Sequence, residues 1–182
     1  MERMDFLRTL CGLGACGCMS ETRAAAVEPP AKPEAVTDAR LAFARHQVAT
    51  LVGFMAEGPN PAGCRDPIER TGRECARLGG LAERFKGDPE GYFAAARRAW
   101  GTEFQWDRAG GTVTVVVAEG PCGCPLVQPK RTPPFWCNCS VGYQKASFAA
   151  LFGREVKATL KESKLAGGRH CVFVVDVGQQ AS

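Results

Sequence analysis

The chain is poor in the side chain that most often moves protons near neutral pH. Only two histidines, His46 and His170, occur among its 182 residues. His170 adjoins Cys171, but on a strand the two would face opposite sides of the sheet, which denies that thiol a neighbouring base. His46 lies in the charged stretch "ARHQ" and reads as a surface residue. Catalysis built on imidazole therefore has little to draw on. A lysine-arginine block is also missing: 23 basic and 19 acidic residues are spread along the chain for a net charge of +4, without interleaved aromatics. That distribution offers no track for phosphates, so nucleic acid is not an expected partner. Nor is there an uninterrupted run of about 18 apolar residues, and no transmembrane span is expected. The Cys-x-x-Cys spacing of zinc ribbons is absent as well.

Cysteine itself is plentiful. Ten are present, in three groups: Cys11, Cys16 and Cys18; Cys64 and Cys75; then Cys122, Cys124, Cys137, Cys139 and Cys171. The first group belongs to residues 1–26, which have the layout of an export signal, with basic Arg3 and Arg8, a short apolar stretch and a small-residue run. Arg3 to Arg8 resembles a twin-arginine motif whose second arginine has become Met4, and "LGAC", Leu13 to Cys16, resembles a lipoprotein box. An exported, periplasmic or membrane-attached location is the expectation, with a cytoplasmic one as the alternative. Loss of the first group would leave seven cysteines, an odd number that disulfides alone cannot absorb.

Residues 27–37 are proline-rich and charged and read as a linker, so a single domain is expected over residues 38–177. Apolar spacing predicts helices over Ala35–Glu57 and Asp66–Phe85, and a third in "GDPEGYFAAARRAWG" with Asp88 as N-cap and Pro89 in the first turn. From Thr102 the pattern turns to β: "TEFQWD" and "TVTVVVAE" flank a glycine turn and predict a hairpin. Both Cys-x-Cys pairs are expected outside regular structure because Pro121, Pro125, Pro129, Pro133 and Pro134 surround them. A helix in "SVGYQKASFAALFG" ending at Gly153, then strands in "EVKATLK" and "HCVFVVDV", complete an α+β fold: N-terminal helices, hairpin, Cys/Pro-rich loop, helix and two strands.

Thiolates close a tetrahedral zinc site at about 2.3 Å, and such a site would crosslink a loop that otherwise has little to hold it. Disulfides running between the two pairs are the competing structural use, since a bond within Cys-x-Cys is strained. A buried free thiol in the "CVFVV" strand is the third. Phe135 and Trp136 beside the cysteines, with Trp106 and Tyr143, are candidates to wall a pocket for a small apolar molecule.

Several anchors in the second half carry a family resemblance: Cys139 leading into Gly142-Tyr143, Gly153-Arg154-Glu155-Val156, Gly167-Gly168, and Cys171-Val172-Phe173. Residues 102–177 thereby resemble the 4-vinyl reductase domain, a small-molecule-binding module. The whole chain resembles a bacterial family related to it, some of whose distant members are named aminothiazoline-carboxylate hydrolases. Zinc-binding members use three cysteines and an acidic residue, which implies Glu119, Cys139 and Cys171 here. The remaining family cysteine is replaced by Ser163, a poor zinc ligand, and Cys122, Cys124 or Cys137 would have to complete the set. The expected function is zinc binding, small apolar ligand binding, or both, of sensor or carrier type, with a homodimer left open. The alternative is a thiol- or metal-dependent hydrolase using Cys124, Cys137 or Cys139.

Overall fold

The computed structural model describes residues 34–179, and the signal-like segment and most of the linker expected from the sequence lie outside them. Helix α1 spans Glu34–Glu57, beginning inside the expected linker, and ends where "GPNP" cannot continue a helix. Helix α2 is Arg65–Gly79. The single helix expected over Asp66–Phe85 is broken, because Gly80 takes a left-handed conformation (φ 63°) and donates its N–H to Ala76 O at 3.0 Å. The short α3, Leu81–Arg84, follows. Helix α4, Pro89–Trp100, has the start expected for it: the Asp88 carboxylate accepts the Gly91 N–H at 2.9 Å and Pro89 opens the first turn.

Strands β1 (Glu103–Asp107), β2 (Thr112–Val117), β3 (Lys157–Glu162) and β4 (Cys171–Asp176) form one antiparallel sheet in the order β1-β2-β4-β3. The register aligns Phe104, Val115, Phe173 and Leu160 in one row and Trp106, Val113, Val175 and Ala158 in the next. These rows face the main core, which α4 supplies with Tyr92 and Phe93 and α5 (Cys137–Phe152) with Phe148 and Leu151. Val117 and Cys171 form a further facing pair at the end of β2 and the start of β4.

Helix α5 is buried on nearly every side because it lies between the sheet and α2. Its approach to α2 is backbone to backbone. A Cβ on Gly72 would come within 1.7 Å of Cys139 O, and one on Gly142 within 1.8 Å of Glu69 O. Two glycines thus set this crossing, and an ion pair from Lys145 Nζ to Glu69 Oε2 at 2.5 Å spans it. The helix also starts earlier than expected. A 3-10 turn over Pro134–Trp136 leads directly into it, and Cys137 and Cys139 occupy its first turn instead of a loop. Pro133 and Pro134 do not oppose this, because the first residues of a helix need no intrahelical N–H partner.

A second apolar cluster joins Val52 of α1, Ile68 of α2, Val127, Trp136 and Cys139, with Phe135, Leu126, Cys122 and Cys124 against it. Among the described residues no helix is long and apolar enough to cross a membrane.

Candidate functional site

The segment after β2, residues 118–133, has no regular structure, yet it is firmly placed. Arg45 of α1 donates to Pro125 O at 2.6 Å, and Lys164 donates to Ala118 O and to Pro121 O. Within the loop, Val127 N bonds Cys124 O, Thr132 N bonds Gln128 O, and Gln128 N bonds the Thr132 hydroxyl. Val127 and Thr132 are buried. A metal crosslink is therefore not required to hold this loop, contrary to the expectation from its prolines.

Three chain segments bring thiols together. The loop contributes Cys122 and Cys124, the start of α5 contributes Cys137, and the start of β4 contributes Cys171, which lies across from Val117 where the loop departs. Cys137 lies within electrostatic reach of Cys171, Cys122 and Cys124, and Cys122 in turn feels Cys124 and Cys171. Ser163 completes the group. Its buried hydroxyl lies 3.0 Å from Cys137 Sγ and accepts the Leu165 N–H at 3.1 Å.

Helical geometry separates the second Cys-x-Cys pair. Residues two apart on a helix point about 200° from one another, so Cys137 faces Ser163 and β4 while Cys139 turns toward Cys75 and Cys124 among Val52, Ile68 and Trp136. Burial pushes the Cys137 thiol up to about 11, with the Ser163 hydrogen bond lowering it and neighbouring thiolates raising it. Burial likewise holds Cys139 up at about 12, with Cys124, Cys75 and Cys137 adding to the effect. Cys122 is raised mainly by burial as well, and Lys164 lowers it in part. A helix N-terminus ordinarily favours a thiolate, but here desolvation and mutual repulsion prevail. These buried thiols are protonated near neutrality and poor nucleophiles as they stand. All seven described cysteines are free thiols.

The other expected site residues do not share this place. Glu119 is exposed and paired with Arg169 at 2.5 Å, with His170 Nε2 at 3.6 Å. Among the described residues, no three His, Cys, Asp or Glu side chains converge closely enough to hold one ion. Trp106 packs edge-on to Phe152 and Phe93 in the main core, under the Arg108 guanidinium at 3.8 Å. Phe135 and Trp136 belong to the second cluster, and Tyr143 interacts with Tyr92 and Ser147. The four aromatics thus do not form one wall. Trp106 instead borders an open cleft of about 500 Å3 with Glu90, Arg108, Phe152 and Arg154. Arg45, Cys75 and Lys164 escaped the sequence reading. Cys75 follows Gly72 by three residues, a spacing that puts both on one face of α2.

No protein-family model matches the chain, and no curated protein matches its sequence. Its fold is similar to that of a trafficking protein particle complex subunit 3 from Naegleria fowleri, whose crystal structure has palmitic acid covalently bound. The superposition covers 80% of this chain and 99% of that one, at 16% identity and a TM-score of 0.50.

Proposed function

We propose that this domain is a binding module whose Cys122, Cys124, Cys137 and Cys171 together hold zinc. The observation that carries the reading is the gathering of four thiols from a loop, a helix start and a strand start. The donor set suits a soft, four-coordinate metal. Ligation at about 2.3 Å requires the thiols to draw closer than they stand, and two of them, Cys122 and Cys124, come from the contributing segment without regular structure. Zinc there would act as a structural crosslink. Cys139 and Glu119 fall outside this set, the first turned toward α2 and the second paired with Arg169. Ser163, beside Cys137, stands where the 4-vinyl reductase resemblance puts a ligand, and we read the fold as being of that type.

Because the ligands Cys122 and Cys137 hold their protons more tightly than ordinary thiols, loading the metal releases protons and its affinity falls with falling pH. The test is elemental analysis of full-length protein purified under reducing conditions with zinc supplied. Close to one zinc per chain is expected, lost in a Cys122→Ser/Cys171→Ser variant and kept in Cys64→Ser. Zinc absent from the wild type, or retained in the double variant, refutes the assignment.

A second reading, apolar ligand binding, is favoured by the indole N–H of Trp136. It is buried without an acceptor beside Phe135 and Leu126, as a group would be that awaits a ligand carbonyl. The fold neighbour's bound palmitic acid supports a long acyl chain as the class. Saturable quenching of tryptophan fluorescence by palmitate, weakened in Trp136→Phe, is expected. Identical quenching in that variant places the acyl chain elsewhere.

A further inference from the structure

Helix α1 is apolar around most of its circumference, yet among the described residues one side of it is covered and the other is not. Val52 and Ala49 are buried and Val48 and Met55 pack on the second cluster. On the opposite side Phe43, Leu51 and Phe54 are 66%, 55% and 72% exposed. Their spacing, with Arg40 and Gln47 also exposed, follows i, i+3, i+7, i+11 and i+14 from residue 40, a single straight stripe along the helix. Soluble domains rarely leave two phenylalanines and a leucine aligned in water without a partner.

We infer that this stripe is the contact between two copies of the chain, paired through antiparallel α1 helices about a two-fold axis. The register argues for self-association. In a two-fold pair, residue i meets j and j meets i. Setting Phe43 of one copy against Phe54 of the other places the pair's centre midway between Val48 and Ala49. The same register brings exposed Arg40 opposite exposed Glu57, at both ends at once, and Gln47 opposite Thr50. One arrangement thus pairs the phenylalanines with each other and the charges with each other, with Gln47–Thr50 nearest the axis, the phenylalanine pairs outward of it and the Arg40–Glu57 contacts at the two ends. From the exposures and aromatic side-chain surfaces of about 150–250 Å2, the three apolar residues bury about 700 Å2 across both copies. The flanking Arg40, Gln47, Thr50 and Glu57 bring the interface to about 1,000 Å2, the size at which specific interfaces begin.

Sedimentation of the full chain in reducing buffer, from about 1 to about 200 µM, tests this. A reversible monomer–dimer equilibrium is expected. Phe54→Arg, at a solvent-exposed position that leaves the circular dichroism unchanged, weakens it at least about tenfold. Arg40→Glu weakens it less, and Arg40→Glu/Glu57→Arg restores it. A monomer throughout the range, or a dimer indifferent to Phe54→Arg, overturns the proposal, as does failure of the charge swap to restore association. Monomers that pellet with phosphatidylcholine–phosphatidylglycerol vesicles through Phe43 and Phe54 would assign the stripe to a lipid surface and overturn it equally.

Discussion

Replacing Gly72 by alanine tests whether the α2–α5 crossing is the joint on which the thiol site depends. The added methyl would lie 1.7 Å from Cys139 O, 2.7 Å from the carbonyl carbon and 2.8 Å from Tyr143 N. All three are backbone atoms, so no side chain can swing aside. Ordinary contact begins near 3.4 Å, and the helices must part by about 1.5 Å in a core that packs like a crystal. Overpacking costs about 1–3 kcal/mol, and a clash with two turns of backbone belongs at the upper end. Alanine's better helix propensity returns about 1 kcal/mol, leaving a net loss of about 2 kcal/mol. For a domain of this size that is a fall in Tm of about 4–8 °C. Urea denaturation and thermal melting measure it, with Gly53→Ala as the control. Gly53 sits inside α1 with open space where its Cβ would go, so that variant should gain about 0.5–1 kcal/mol. Because the clash is with Cys139 itself, Gly72→Ala should also displace the first turn of α5, which carries Cys137, and so weaken the zinc retention proposed above. A Gly72→Ala protein as stable as the wild type refutes the crossing as described.

Alkaline stability follows from the thiols: the unfolded chain sheds protons from Cys137 and Cys139 near the ordinary 9.0, whereas the fold holds them up to about 11 and about 12. Their contribution is therefore complete below pH 9 and lost as pH rises through those values; urea midpoints of metal-free protein should drop between pH 9 and 11, less steeply in Cys139→Ala, and a flat profile contradicts the burial. Ser163→Ala removes the hydrogen bond to Cys137 and should cost about 1 kcal/mol. It should also slow alkylation of Cys137, read by mass spectrometry, because the bond lowers that thiol's pKa; faster alkylation would show that Ser163 shields the thiol instead. Asp88→Ala uncaps α4 and should cost about 1 kcal/mol in thermal melts, whereas Asp88→Asn should cost less.

The elements legible in the sequence were those set by local rules. Asp88 and Pro89 announced α4, β-rich runs bounded by glycine turns announced β1 to β4, and Gly153 closed α5 where expected, with φ at 65°. The misplaced boundaries share a cause, which is that one residue type serves two local roles. Gly80 lies inside the run expected to form one helix over Asp66–Phe85, but it is a left-handed stop that divides α2 from α3. Pro133 and Pro134 read as breakers, but they are the entry to a helix. That second reversal decides the site. Held in a loop, Cys137 and Cys139 could have faced the same ion. Fixed in a helical turn they point apart: Cys137 faces Ser163 and Cys171, Cys139 faces Cys75 and α2, and Cys124 of the loop lies within reach of both. No local rule could reveal the glycine pair at residues 72 and 142, which matters only because two helices 70 residues apart in the chain cross there. The consequence reaches the chemistry. The crossing fixes the Cys139 backbone against α2, and the helix then dictates that Cys137 turns toward Ser163 and Cys171 on the side of α5 facing β4.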